Sequence, residues 1–425
     1  MKTGRNLKKG VLALAVVAML ASPLAMARKK EEPKPEPKYP NATRVEPEIK
    51  PSRAVNKQLN KMFELSSEDG TEDQVRLLAE EILAHGKASA YDRAIADQTL
   101  AYQMMDKDNY GKAIEYLQHA LDENSLPNDT HFSIMLQIAQ MQQAEDQLAA
   151  ADQTVKRLIE ETRSDGPEFV GLRGSIKYQQ DDCPGAVPLI KDAIAKSDAK
   201  GVKPQSAWPQ ILIACYADME QPEEAINVAK QQLAGDPDNT TLIRNLSTVY
   251  LQAEKYAEAT ALLEDAKARG LMTTAKDYDQ LYRLYHYAEK EDKAIATIDE
   301  GLAKGILQPS AELYHVKAEA FYFSDRSKDA IEWYGKAAEL SNTGDDYVNQ
   351  ARLLYENDRY AEAKAAANKA LARDLKRPGD AWIVIGGAEL GMSNKAAGIA
   401  AYKKAAGYPE TKNAAESWLR ASGVK

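Results

Sequence analysis

Five histidines and two cysteines are the residues of this 425-residue chain with the most chemistry to offer, and chemistry requires them at particular spacings. His85, His119, His131, His286 and His315 are scattered. None forms the H-E-x-x-H pair of a zinc protease or the Cys/His spacing of a structural zinc site, so neither metal nor cofactor is expected. The chain has no G-x-S-x-G nucleophile elbow and no Gly-rich loop ending in Gly-Lys-Ser/Thr to cradle phosphates. "GLRGS" at Gly171 falls in a stretch that reads as helix rather than as a dinucleotide turn. The expectation is a protein without catalytic activity. Cys183 and Cys215 would be candidates for a disulfide in an oxidising compartment, the alternative being two buried free thiols.

The compartment is indicated by the first 27 residues. A basic start (Lys2, Arg5, Lys8, Lys9), an apolar run from Val11 to Ala21 and an Ala-Met-Ala site ending at Ala27 read as a secretory signal peptide. No Cys follows the run to carry a lipid, and the style of the signal suggests a Gram-negative periplasm. Cleavage would remove four basic and no acidic residues, taking the net charge from −9 to −13. Such acidity excludes a general affinity for nucleic acid or anionic lipid. Residues 28–51, "RKKEEPKPEPKYPNATRVEPEIKP", have almost nothing apolar to bury and are expected to form an extended, polyproline-like tether.

Positioning elements come next. "DRSKDAIEWYGKAAEL", Asp325 to Leu340, stacks Ala330, Tyr334 and Ala337 on one face of a predicted helix. The same small-large-small device begins at Ala113, Ala151, Ala186, Ala225, Ala259, Ala294, Ala330, Ala363 and Gly398, at a period near 35 residues. Sixteen residues before each anchor lies a second apolar stripe, clearest at Trp382, Ile385, Gly386 and Glu389. Pro188 lies within a predicted second helix and should shorten or kink its start near Pro184.

This pattern resembles the tetratricopeptide repeat (TPR), W-x2-L-G-x2-Y followed by A-x3-F-x2-A and Pro. The resemblance implies an all-α fold, a right-handed superhelical solenoid of about nine to ten helix pairs. Its divisions would be a degenerate helical unit over 52–93, the solenoid over 94–412 and a capping helix over 413–425. It puts Cys183 and Cys215 at one edge of adjacent units. It also implies a concave groove lined by the first helix of each pair: Arg244, Asn245, Arg283, His286, Tyr287, His315, Tyr322, Asn349, Arg352 and Tyr355. In this family such Arg and Asn residues clamp a carboxylate or the main chain of an extended ligand, and Arg283 and Arg352 are expected to hold acidic groups.

Two functions fit. One is a periplasmic scaffold that binds a protein partner; the other is a glycan or cell-wall binding module, or an accessory subunit of an envelope-assembly or wall-enzyme complex. An exported chain with "EEPKPEPKYP" ahead of units such as "YGKAIEYLQHALDE" is similar to periplasmic TPR components of TonB energy-transduction systems. That resemblance implies a place beside TonB or its motor proteins in outer-membrane transport.

Overall fold

In the computed structural model residues 36–423 are described; the signal segment and residues 28–35 lie outside them. The described residues form 21 helices and one isolated β-bridge, Thr343 to Asp374. No helix among them is long and apolar enough to cross a membrane. The chain divides into two compact units, Met1–Val228 and Ala229–Lys425.

Unit 1 contains α1 (Asn56–Leu65), α2 (Glu72–Ala84), α3 (Ala90–Met105), α4 (Tyr110–Asp122), α5 (Asn128–Ala144), α6 (Leu148–Thr162), α7 (Pro167–Gln179), α8 (Cys183–Ala199) and α9 (Ala207–Asp218). The unit boundary falls within α10 (Pro222–Gly235). Unit 2 contains α11 (Thr240–Gln252), α12 (Tyr256–Ala268), α13 (Ala275–Tyr287), α14 (Glu291–Ala303), α15 (Ala311–Phe323), α16 (Ser327–Leu340), α17 (Asp345–Glu356), α18 (Tyr360–Leu371), α19 (Pro378–Gly391), α20 (Lys395–Ala405) and α21 (Lys412–Ala421). Within each unit every helix packs on the next in sequence, and α5 on α7, α7 on α9, α11 on α13 and α17 on α19 add next-nearest contacts. Helix pairs that bury their apolar faces only by stacking on neighbours make each unit an α-solenoid.

The period is visible in the turns as well as the cores. All nine anchors are buried. Five residues before each one, a residue other than glycine holds a left-handed conformation: Asp108, Asp146, Asp181, Glu220, Glu254, Glu289, Asp325, Asp358 and Ser393. The next amide then reaches back to the helix just ended, as from Lys255 to the Tyr250 carbonyl (2.8 Å) and from Lys290 to Tyr285 (2.8 Å). This closing turn satisfies carbonyls that the helix end would leave bare, and it reverses the chain within a few residues. Several second helices end the same way on glycine, at Gly201, Gly270 and Gly305, where positive φ is free of the Cβ clash.

Two expectations are corrected. Pro188 neither shortens nor interrupts α8, which runs from Cys183 to Ala199. Asp182 caps it by accepting from the Gly185 amide (2.9 Å), and Pro184 sits in the first turn where no intrahelical donor is required, so Pro188 removes a single bond. The tether is not free over 36–51. Tyr39 is buried against unit 1, edge-on to Phe132 (5.5 Å) and stacked on Phe169 (5.9 Å), and flanking polar groups bond to helix ends. One aromatic ring suffices to dock a segment that composition marks as unfoldable by itself. At the other end of the chain α21 lays Trp418 flat on Tyr402 (4.1 Å, 13°) and buries Ala415.

Candidate functional site

Unit 2 holds a cleft of about 740 Å³ lined from α11, α13 and the start of α15, including Arg244, Asn245, Thr248, Lys276, Arg283 and Tyr287. Leu251, Leu284, Leu307 and Leu313 add apolar lining. Its geometry begins at the helix caps. Asn239 accepts from the Thr241 and Leu242 amides to start α11, and a reciprocal Thr274–Asp277 capping box starts α13. The same Asp277 carboxylate accepts from Arg244 Nη1 (2.5 Å), tying α11 to the entry of α13. Burial works against the charge on Asp277, but hydrogen bonds from Thr274 and Arg244 outweigh it and hold the carboxyl below its ordinary range. Gln280 Nε2 donates to the Arg244 carbonyl (3.0 Å) and to Thr248 Oγ1 (3.1 Å), a second tie between the two helices.

Arg283 is already engaged. Its Nε donates to Asp279 (2.9 Å) and its Nη2 to Glu312 of α15 (2.5 Å), while Asp279 also accepts from the Tyr282 hydroxyl. Both acids attached to this guanidinium are the chain's own, so a partner's carboxylate would have to compete with Asp279 and Glu312 for it. Taken together Arg244, Lys276 and Arg283 are balanced by Asp277, Asp279 and Glu312, so the cleft is not a strong anion trap. Its uncommitted groups are Asn245 and Lys276, neither with a hydrogen-bond or ion-pair partner among the described residues, and Tyr287, which is 59% exposed.

Of the residues expected in the groove, Arg244, Asn245, Arg283 and Tyr287 come together here. His286 and His315 do not line the cleft. They belong to a chain of histidine–carboxylate contacts: His286 Nδ1 to Glu291 (2.8 Å), His286 Nε2 toward Glu319 (4.0 Å), His315 Nε2 to Glu319 (3.3 Å) and His315 Nδ1 to Asp346 of α17 (2.5 Å). Asp346 first and Glu319 second push the His315 pKa up to about 10 against the opposing effect of burial. No cluster of three or more His, Cys, Asp or Glu among the described residues has the geometry to hold a metal ion. Tyr322 and Tyr355 are exposed rings outside the cleft, as is Phe323 (61%), which packs edgewise on Tyr322 (5.4 Å). Asn349 and Arg352 also lie outside it, neither with a hydrogen-bond or ion-pair partner among the described residues, although Arg352 stands within electrostatic reach of Tyr334. Nothing in the sequence singles out Lys276, Thr248 and Glu312 as lining residues: Lys276 and Glu312 sit in first turns, outside the mid-helix positions considered, and Thr248 is a mid-helix residue without a charge or ring to mark it.

In unit 1 the structure joins Cys183, the first residue of α8, to Cys215, in the last turn of α9, with Cα atoms 5.1 Å apart. The bond clamps one edge of two successive pairs.

Comparison with known proteins supports the repeat reading over part of the chain. The Tetratricopeptide repeat profile matches residues 216–275, which include α10, α11 and α12, and supports the TPR reading of the chain. No curated relative matches the sequence. Among solved structures, a tetratricopeptide repeat protein from Parabacteroides merdae is 14% identical over 58% of this chain and 93% of its own, with a TM-score of 0.38. The C-terminal part of a TPR repeat-containing protein from Cytophaga hutchinsonii is 19% identical over 56% of this chain and 95% of its own, with a TM-score of 0.47. YrrB, described as a TPR protein with an unusual peptide-binding site, is 15% identical over 45% of this chain and 97% of its own, with a TM-score of 0.38.

Proposed function

We propose that this chain is an exported, non-catalytic TPR scaffold that holds an extended protein segment in the cleft of unit 2, and that it serves a TonB-dependent outer-membrane transport system from the periplasm. The observation that carries the binding reading is the composition of the cleft. Its Arg244 and Arg283 charges are internally paired, yet the Asn245 amide, the Lys276 ammonium and the exposed Tyr287 ring are uncommitted. An amide offers a donor and an acceptor that match a peptide bond, and a balanced cleft favours main-chain recognition over capture of an acidic group. Export rests on the charged start, apolar run and Ala-Met-Ala site, and the TonB association rests on the resemblance of the exported, Pro-rich leader and its repeats.

The test is recovery of partners from envelope extract by the mature chain and by an Asn245→Ala, Lys276→Ala, Tyr287→Ala variant of equal helicity. TonB-system proteins retained by the first and lost by the second support the proposal; equal retention by both removes the cleft from it. N-terminal sequencing of protein from the native envelope should begin at Arg28, and an intact Met1 would refute export. The glycan reading draws on the exposed rings Tyr287, Tyr322, Phe323 and Tyr355, which could stack on sugar faces. Retention on purified peptidoglycan that is lost in Tyr322→Ala, Phe323→Ala would favour it.

A further inference from the structure

Residues 38–46 occupy unit 1 as a bound peptide would. Tyr39 inserts between Phe132 of α5 and Phe169 of α7, and its ring is buried while Pro40, Asn41 and Val45 remain exposed. A turn closed by the Ala42 amide on the Tyr39 carbonyl (3.2 Å) presents the ring. The Lys38 amide donates to Asp129 (3.2 Å), and the Thr43 amide and hydroxyl both donate to the Glu161 carbonyl at the end of α6 (2.8 and 3.2 Å).

The other half of the contact reads charge. Arg44 reaches the corner that joins the C-terminal end of α4 to the start of α5, donating to Asn124 Oδ1 (3.0 Å), to the Leu126 carbonyl (3.0 Å) and to Asn128 Oδ1. Asn128 answers by donating to the Arg44 carbonyl (2.9 Å), so one amide grips both the side chain and the backbone of the arginine. Glu46 accepts from the Asn128 amide (3.1 Å) at the first residue of α5. A cation near a helix C-terminus and a carboxylate on a helix N-terminus each complement the local dipole. Burial first, then the nearby Glu168 and Asp129, pushes the ionisation of the Tyr39 hydroxyl up and makes the slot hostile to an anionic anchor.

We propose that this slot and corner form a peptide-recognition site of unit 1, a different site from the cleft of unit 2. Its ligand is a protein segment with a neutral aromatic anchor, Arg five positions on and Glu seven positions on, and residues 38–46 are its resident occupant. A partner carrying that pattern displaces the strap. Apart from the Tyr39 ring, which joins the core of unit 1, and the half-buried Ala42 beside it, the attachment is polar and its flanks are exposed, which is the anatomy of an anchored peptide. An intramolecular ligand on a short linker competes at roughly millimolar effective concentration, so the wild-type site is largely filled.

The probe is a fluorescent peptide of residues 36–47, EPKYPNATRVEP, titrated by anisotropy against the full mature chain and its Tyr39→Ala, Arg44→Ala variant. The variant should bind at least ten-fold tighter than wild type. Peptides with Tyr39→Ala, Arg44→Ala or phosphotyrosine in place of Tyr39 should each bind at least ten-fold weaker than the parent peptide. Equal binding of all four peptides, or no binding to a variant of unchanged helicity, would overturn the proposal. If the double variant loses helicity, hydrogen exchange of Arg44→Ala alone decides. Faster exchange confined to 38–46 supports a detachable ligand, whereas unchanged exchange, or α5 and α7 opening with it, makes the strap part of the core and overturns the proposal. Sedimentation of wild type as a dimer that Tyr39→Ala dissolves would overturn the assignment by identifying a second copy as the occupant.

Discussion

Replacing His315 with glutamine should destabilise unit 2 in a way that disappears as the pH rises. His315 bridges Asp346 on α17 and Glu319 on its own helix α15, and those bonds take its pKa from 6.5 to about 10. Undiscounted, a shift of that size is worth about 5 kcal/mol. The side chain keeps 34% of its surface in water, so screening reduces the contribution to about 1–2 kcal/mol. Because the folded pKa is raised, the stabilisation is fully present below pH 6.5, where the unfolded histidine is also charged, and is lost as the pH climbs through about 10. Tyr334, 5.7 Å away ring to ring, and Lys317 on the same helix also titrate at the alkaline end, in both wild type and variant, so the difference between the two isolates His315. Glutamine keeps a donor for Asp346 and removes the charge. Urea titrations followed by far-UV circular dichroism should show a gap of about 1–2 kcal/mol near pH 6 that narrows to a few tenths by pH 10. A gap independent of pH, or one that widens with alkali, would refute the assignment of a charged His315 between two carboxylates.

Three further outcomes are expected. Reducing the Cys183–Cys215 bond, whose ends are 32 positions apart in sequence, should lower the stability of unit 1 by about 3–4 kcal/mol, seen as a lower urea midpoint with reductant or in a Cys183→Ser, Cys215→Ser variant. Glu254→Gly should raise stability by about 0.5–1 kcal/mol, since the residue sits at φ 57° where a side chain is strained, the gain being partly offset by the freer unfolded chain; a lower thermal midpoint would count against it. Gly171→Ala should cost about 1–3 kcal/mol by urea titration, because its Cβ would run into the Trp208 ring where α7 meets α9, and an unaltered midpoint would show that the ring moves aside freely.

The nine anchors and their period were legible because packing repeats them: every small residue that opens a second helix is buried. The turns that precede them were not legible as turns. Glu and Ser carry no left-handed signature and that of Asp is far weaker than that of Gly, so only the regular placement of Asp108 through Ser393 makes the device visible. Pro188 was misjudged because a proline costs a helix little when the carbonyl it abandons belongs to the first turn. The strap was hidden by its neighbours, since composition averages over a window and Tyr39 is one aromatic among prolines, lysines and glutamates.

What spacing alone did not reveal about Arg283 is that it already holds acids of its own chain. Spacing puts the residue on the right face, but face alone says nothing about what already stands opposite. In a solenoid the opposite residue is fixed by the period, so charges roughly one repeat apart are neighbours. Arg244 meets Asp277, Arg283 meets Glu312 and His315 meets Asp346, at separations of 33, 29 and 31 residues. A groove arginine is free to hold a partner only where no acid stands at that offset. By this criterion Lys276 is uncommitted and Arg244 and Arg283 are architectural, which is why binding should depend on Lys276 and Asn245 while loss of Arg283 should first be felt as weaker coupling between α13 and α15.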